Sequence, residues 1–202
     1  MSPLLSALVL PVFLQLALGP NDFKVITSKS GPTNYYTPMN ENGTAFIRSK
    51  YMPGMKTTVL GWKTPDGDRK SIKKVKWSWR ANTFPNGGDE CASGKEDSAA
   101  VVYVTWKSGL RYHTLKYVWS AVGKKGATCD RKRNPFVAQD TIIVDSGGAT
   151  GQWKTVEIDL ASEYKNHFGD DPPDFIGLGI MSDGDQTNSE SSADFGGFTL
   201  VR

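Results

Sequence analysis

The acidic loop near the C-terminal end is the stretch whose residue types and spacing best suit a metal ion. It reads "SDGDQTNSES" and contains Asp183 and Asp185. Counted from Asp183 as in a calcium-binding EF-hand, the sixth position is Asn188 instead of glycine and the twelfth is Asp194 instead of glutamate. The flanks also read as strands, not helices. An EF-hand is therefore excluded, which leaves two alternatives: a simpler calcium site formed by Asp183, Asp185 and backbone oxygens, or an ordinary turn.

Paired carboxylates are the second kind of chemistry that the sequence offers. Two such groups facing each other across a cleft carry out glycoside hydrolysis, and Asp97 and Asp183, which flank predicted strands, are the candidate acid and base. A nucleophilic triad has little support, since the histidines are only His113 and His167 and no G-x-S-x-G motif occurs. A polysaccharide lyase would need a tyrosine or histidine base, and the neighbouring Tyr112 and His113 are candidates for it.

Aromatic residues favour sugar binding, because sugar rings stack on aromatic side chains. The chain has 6 tryptophans and 7 tyrosines, more than a core of this size requires. Trp77 and Trp79 alternate with charged residues in "KVKWSWR", which predicts that both lie in the core. The candidates for an exposed platform are Trp62, Trp106 and Trp119, and Trp153 fits either role.

Strands must position these residues. Runs of alternating character such as "AAVVYVTW", "HTLKYVWSAV", "FIGLGIM" and "GGFTLV" are separated by glycine-rich turns, and roughly ten strands are expected. One helix is predicted over residues 161–168, with Asp159 or Ser162 as its N-cap and Gly169 at its end. The expected fold is an all-β, antiparallel β-sandwich or jelly roll in a single domain, residues 20–202.

The N-terminal segment, residues 1–19, is uncharged and mostly apolar, which predicts an export signal. The alternatives are a retained membrane anchor and a mis-assigned start. The mature chain would be periplasmic or extracellular, with no membrane span, and we expect a monomer.

The two cysteines, Cys91 and Cys129, lie in polar loops. In an exported protein such a pair predicts a disulfide bond, and two unrelated free thiols are the alternative.

Charge is distributed unevenly along the chain. The net charge of +3 is too small to indicate nucleic acid binding. Residues 50–133 contain 18 Lys and Arg against 7 Asp and Glu, whereas residues 134–202 contain 3 against 12. If both parts share one sandwich, it has a basic side that can attract an anionic partner, unless these charges are ordinary solvated residues.

Ordered motifs give the chain a resemblance to a known family. They are "WSWR", "KEDSAAVVYVTW", "LKYVWS", "RNPF" and the run from "GQWKTVEIDL" to "MSDGDQT". Together they resemble the exported bacterial family called domain of unknown function 3047. The resemblance implies a β-sandwich similar to galactose-binding-like carbohydrate modules, and it implies no activity. The positions that match its polar and aromatic motifs are Arg80, Asp97, Trp119, Asn134, Asp183 and Asp185.

The sequence therefore predicts an exported glycan-binding β-sandwich for an anionic or cell-envelope polysaccharide. In this hypothesis Trp119 stacks on the sugar, while Arg80, Asp97 and Asn134 form hydrogen bonds with it. Asp183 and Asp185 order the adjacent loop or bind calcium, and no other cofactor is expected. The alternatives are a polysaccharide hydrolase or lyase on the same fold and a structural envelope or interaction protein.

Overall fold

The computed structural model describes residues 14–26 and 35–202. These residues form strands β1 to β13 and one α-helix, α1. The strands are β1 (Gln15–Leu18), β2 (Lys24–Val25), β3 (Tyr36–Glu41), β4 (Thr44–Tyr51), β5 (Leu60–Lys63), β6 (Lys74–Thr83), β7 (Ser98–Ser108), β8 (Arg111–Ser120), β9 (Thr128–Arg133), β10 (Val137–Ser146), β11 (Lys154–Asp159), β12 (Asp174–Met181) and β13 (Ser191–Val201), and α1 is Leu160–Phe168.

Two sheets pack face to face, which confirms the predicted β-sandwich. The seven-stranded sheet has the order β2-β5-β12-β7-β8-β10-β9. The six-stranded sheet has the order β11-β6-β13-β4-β3, and β1 pairs with the end of β13 beyond β4. Among the described strands all pairs are antiparallel except β8 and β10, which run parallel.

The core lies between the sheets and is rich in tryptophan. Trp77 and Trp79 point inward, as the alternation predicted, and the ring of Trp79 lies 6.2 Å from that of Trp119. Trp62 and Trp106 are also buried, so the prediction that they are exposed platforms is wrong. Burying a large apolar side chain stabilises the fold by about 1.5–3 kcal/mol, which accounts for most of the tryptophan content without a ligand.

Helix α1 closes one end of the sandwich and was predicted to within one residue. Asp159 is its N-cap and accepts a hydrogen bond of 2.9 Å from the backbone N–H of Ser162. The helix ends at Gly169, whose φ of 88° is the left-handed conformation that glycine adopts most easily. Among the described residues, no helix has the length and apolar character needed to cross a membrane.

The predicted export signal is only partly covered. Residues 1–13 lie outside the described residues. Residues of its last part, Gln15–Leu18, form β1 and pair with Phe198–Val201 of β13. The prediction of an export signal ending at residue 19 stays a prediction.

The predicted disulfide between Cys91 and Cys129 is present, with an S–S distance of 2.07 Å. It ties the loop before β7 to β9, closing 38 residues of chain. On a chain-entropy estimate, a loop of this size is worth about 4 kcal/mol.

Candidate functional site

Three carboxylates meet where β7 begins and β12 ends. Because β7 and β12 are antiparallel neighbours, Asp97 just before β7 and Asp183 just after β12 lie at the same end of the sheet. Each of Asp97, Asp183 and Asp185 offers an oxygen within 4.8 Å of the others. Calcium takes oxygen ligands at about 2.3–2.6 Å, so one ion can reach all three. The flanking elements are strands, as predicted, and the arrangement is not an EF-hand.

Asp97 holds the acidic loop in place through hydrogen bonds to its backbone. Its fully buried carboxylate accepts hydrogen bonds from the backbone N–H groups of Gln186, at 3.3 Å, and Thr187, at 2.6 Å. Each of the two carboxylate oxygens accepts one of these bonds. This carboxylate therefore positions the loop that carries Asp183 and Asp185.

Asp183 is buried among like charges. Burial, and next the charge of Asp185, raises the pKa of Asp183 to about 8; Lys116 opposes the shift, and Asp97 adds to it. A bound cation would compensate this repulsion. The cluster can therefore hold a metal ion through its oxygens, or hold a proton at neutral pH.

Arg80 lies elsewhere, on the outer face of the six-stranded sheet. Its guanidinium donates to Asp194 and to Glu41, both at 2.6 Å. Arg48 donates to the same Asp194 at 2.7 Å and 2.9 Å. Burial alone would raise the pKa of Asp194, but the hydrogen bonds from Arg48 and Arg80 lower it overall. Arg80 is a partner of this network and is not placed with the acidic cluster.

Trp119 cannot act as a stacking platform. Its ring has no exposed surface, because Trp79 and Phe84 pack against it and the ammonium of Lys154 lies 4.2 Å from its centroid. Its indole N–H donates to the carbonyl of Gly147 at 3.0 Å. The prediction that Trp119 stacks on a sugar is wrong, and its role is in the core.

Asn134 shapes the turn between β9 and β10. Its side-chain oxygen accepts from the backbone N–H groups of Phe136, at 2.9 Å, and Val137, at 2.8 Å. This is the local hydrogen bonding typical of asparagine in turns. The six residues singled out by the sequence therefore occupy four places: the acidic loop end, the outer face of one sheet, the core and a turn.

The outer face of the seven-stranded sheet contains a groove that was not among the sites predicted from the sequence. Its volume is about 980 Å³. One end of this face is closed by an apolar cluster and by a buried ion pair, Lys116–Glu90, at 2.6 Å. The open part is lined by side chains from neighbouring strands, among them Lys63, Tyr103, Thr105, Lys107, Tyr112, Thr114 and Gln139.

The groove is amphipathic and basic. Tyr112 is 42% exposed, and the ammonium of Lys107 lies 4.9 Å from its ring centroid. The charged residues that line the groove are four basic and one acidic: Lys24, Lys63, Arg69, Lys107 and Asp22. Alternation along "VYVTWK" in β7 was the available signal, since Val102, Val104 and Trp106 face the core and the residues between them face the groove.

The architecture places the protein among the all-β sandwiches, with loops gathered at the strand ends. Within that class the chain belongs to the family described as "Protein of unknown function (DUF3047)", whose model matches residues 23–199. This confirms the resemblance drawn from the ordered motifs. The comparison with curated proteins gives no match.

Several solved structures are similar in fold. The family 11 carbohydrate-binding module of the cellulase Lic26A-Cel5E of Clostridium thermocellum is 12% identical, with a TM-score of 0.42 over 94% of this chain and 86% of that one. The K2 cleaved adhesin domain of Lys-gingipain is 10% identical, with a TM-score of 0.47 over 94% of this chain and 100% of that one. The Trichoderma harzianum endoglucanase 3 of family GH12 is 9% identical, with a TM-score of 0.42 over 98% of this chain and 99% of that one. At these values the likeness says nothing about what this chain binds.

Proposed function

We propose that this protein binds an anionic polysaccharide in the groove on the outer face of its seven-stranded sheet. The observation that supports this most directly is the combination, in one open groove of about 980 Å³, of an exposed tyrosine with an excess of basic side chains. Sugar recognition needs an aromatic surface for the ring and polar groups for the hydroxyls. An anionic chain also needs positive charge along its path.

Tyr112 is the aromatic surface in this proposal. Its ring is held beside Lys107, and its exposed part can stack against the apolar face of a sugar. Across the sheet, Thr105 is paired with Thr114, and Thr114 with Gln139. Their hydroxyl and amide groups form a polar row next to the tyrosine, and each can both donate and accept hydrogen bonds.

The polar row is long enough for a chain of sugars. From Thr105 in β7 the row continues to Gly177 in β12 and Lys63 in β5. It therefore crosses five neighbouring strands, β10, β8, β7, β12 and β5. Strands in a sheet are about 4.8 Å apart, which makes the row about 19 Å long. Gly177 adds no side chain to the floor there. A row of this length favours an extended oligosaccharide over a single ring.

Positive charge accounts for the anionic preference. Among the described residues that line the groove, Asp22 is the one carboxylate facing Lys24, Lys63 and Lys107, while Arg69 forms an ion pair with Asp66 at 2.6 Å. Exposed charges of this kind attract a polyanion over roughly 8–10 Å at physiological salt, and salt weakens the attraction. Carboxylated or sulfated polysaccharides are therefore the expected ligands.

The hydrolase alternative finds less support. Its candidate pair, Asp97 and Asp183, is at the strand ends, whereas the groove lies on the sheet face. Both oxygens of Asp97 already accept backbone hydrogen bonds. For the lyase alternative, Tyr112 lines the groove, but His113 belongs to a different cluster, stacked in parallel with Tyr164 at 5.4 Å.

An exported location is part of the proposal. The Cys91–Cys129 disulfide is the kind of bond that forms and persists in oxidising compartments. A periplasmic or extracellular protein of this kind would meet envelope or extracellular polysaccharides directly.

Affinity electrophoresis tests this function. Alginate and polygalacturonate are the anionic probes, and dextran is the uncharged control. We expect retardation by at least one anionic probe, reduced by added salt, and a loss of about tenfold in affinity for Tyr112→Ala and for Lys63→Gln with Lys107→Gln. Phe136→Ala, an exposed aromatic residue in the β9–β10 turn, is the matched control and should bind as wild type.

Two results would overturn the proposal. One is the absence of retardation by both anionic probes, which would favour a structural or interaction role. The other is binding of single-stranded DNA as tightly as of the polysaccharides, which would show general attraction of polyanions. Release of reducing ends or of an unsaturated product would instead show an enzyme.

A further inference from the structure

The outer face of the six-stranded sheet, on the other side of the sandwich from the groove, carries a separate pocket. Its volume is about 440 Å³, within the range of about 300–1,000 Å³ that is typical of small-molecule sites. Residues of β3, β4, β6 and β13 line it, together with Trp153 just before β11. Its lining includes Glu41, Phe46, Arg80, Trp153, Gly196 and Gly197.

Trp153 is the exposed tryptophan of this protein. It is 37% exposed, whereas each of the other five is buried. Its exposed part lines the pocket, beside Phe46 and Arg80. An aromatic ring with its surface open to a pocket is a platform for another flat apolar surface.

Trp153 is also fixed in place. The guanidinium carbon of Arg80 lies 4.9 Å from its ring centroid, and the ring of Phe46 meets it edge-on at 5.6 Å. Arg80 is in turn held by its hydrogen bonds to Asp194 and Glu41. A platform that is already rigid loses little conformational entropy when a ligand binds.

The charges around the pocket are balanced. Arg48 and Arg80 face Asp194 and Glu41 through ion pairs of 2.6–2.7 Å, so two positive charges meet two negative ones. In this respect the pocket differs from the basic groove on the other sheet. An uncharged ligand can bind here without breaking an ion pair, whereas a charged one would have to compete with the existing pairs.

Two consecutive glycines form part of the pocket wall. At Gly196 an added Cβ would come within 3.0 Å of the Cβ of Phe46, and Gly197 has a φ of 61°, which favours glycine. These glycines let β13 lie close to Phe46 and Ser78, and the space beside Trp153 is the pocket volume itself. The hydroxyls of Thr44 and Ser78 and the amide of Asn42 line the same pocket and supply hydrogen-bonding groups.

We propose that this pocket binds a neutral sugar ring stacked on Trp153. An apolar ring face against the indole, with hydroxyls at its edge for polar partners and no net charge, is the chemistry that matches these residues. The site is independent of the anionic groove, and neither proposal needs the other. If both bind, the sandwich presents a sugar site on each face.

Tryptophan fluorescence tests the pocket directly, because acrylamide reaches exposed rings and Trp153 is the exposed one. The probes are neutral hexaoses of β-1,4-glucose, β-1,4-xylose, β-1,4-mannose and β-1,3-glucose. We expect at least one to protect the quenchable fluorescence, and Trp153→Phe to remove that quenchable component. Calorimetry with the protecting sugar should show a loss of about tenfold or more in affinity for Trp153→Ala.

Controls separate this site from the groove. Tyr112→Ala should bind the neutral sugar as wild type, and raising the ionic strength should leave that affinity unchanged, in contrast to anionic probes. Arg80→Lys keeps the positive charge but loses the planar guanidinium group, and we expect the affinity for the neutral sugar to fall by a smaller factor of about threefold to tenfold. Protection by none of the four sugars, or binding by Trp153→Ala equal to wild type, would overturn the proposal. A loss in Tyr112→Ala alone would assign the neutral sugar to the groove and overturn it as well.

Discussion

The carboxylate of Asp97 accepts a 2.6 Å hydrogen bond from the backbone N–H of Thr187, which lies 90 residues further along the chain. This bond joins the start of β7 to the loop that follows β12. The disulfide from Cys91 ties the loop before β7 to β9. The strand end that carries the acidic cluster is therefore held by one covalent and several polar links, and each of them can be tested.

Replacing Asp97 with alanine should destabilise the fold. The change leaves the N–H groups of Gln186 and Thr187 without their partner, but it also relieves repulsion with Asp183 and Asp185. The first effect is the larger, so we expect a loss of about 1–3 kcal/mol in the free energy of unfolding. Urea denaturation measures this, with Glu96→Ala as the neighbouring carboxylate control. Equal stability of the two variants would contradict the assignment.

The link between Asp194 and its two arginines predicts a pH-dependent effect. The folded pKa of Asp194 is lowered, so its contribution to stability is present above the ordinary pKa of a carboxyl and is lost as pH falls through the folded value. Asp194→Asn should therefore lose about 2–4 kcal/mol at neutral pH, with the difference from wild type shrinking below about pH 4. Denaturation across this range checks it. A difference that stays constant with pH would show that packing, not charge, is responsible.

Calcium should stabilise the protein if the three clustered carboxylates bind it. Extracellular calcium sites have dissociation constants of about 10⁻⁴–10⁻³ M, so millimolar calcium in excess would add roughly 1–3 kcal/mol and raise the melting temperature by several degrees. Differential scanning calorimetry with and without a chelator measures the shift. Asp185→Asn, at the exposed member of the cluster, should abolish it. A melting temperature that calcium leaves unchanged in the wild type would show that the loop is only a turn.

Features that depend on local sequence were predicted well. The alternation in "KVKWSWR" placed Trp77 and Trp79 in the core, and the helix was located from its cap and its terminal glycine. Trp119 was misread although it alternates with Leu115 and Tyr117, which both face the core. Its position at the end of β8 suggested exposure, but the chain around Gly147 and the side chain of Phe84 return to cover it.

Alternation marks which residues of β7 face outward, but the groove as a whole could not be predicted because it depends on strand order. Most of its lining comes from β2, β5, β12, β7, β8 and β10, and the parallel pairing of β8 with β10 has no local sequence signal. The pocket at Trp153 likewise depends on β3, β4, β6 and β13 lying side by side. Its key contact joins Arg80 to a residue 73 positions away, and only the folded chain brings them together.

Strand β1 predicts that the residues just before Pro20 stabilise the folded domain. Gln15–Leu18 pairs with Phe198–Val201, and Leu16 and Leu18 pack against the core. A chain that begins at Pro20 would lose these contacts and leave part of β13 as an open edge, so we expect it to be about 2–4 kcal/mol less stable than a chain that begins at Leu14. Chemical denaturation of the two chains gives the difference.

Substitutions in the longer chain test the same contacts. Leu16→Ser with Leu18→Ser should reproduce most of the loss of stability, whereas Gln15→Ser with Ala17→Ser, on the exposed face of β1, should not. Equal stability of the two chains would show that β1 contributes nothing to the fold, as expected if export removes everything up to residue 19.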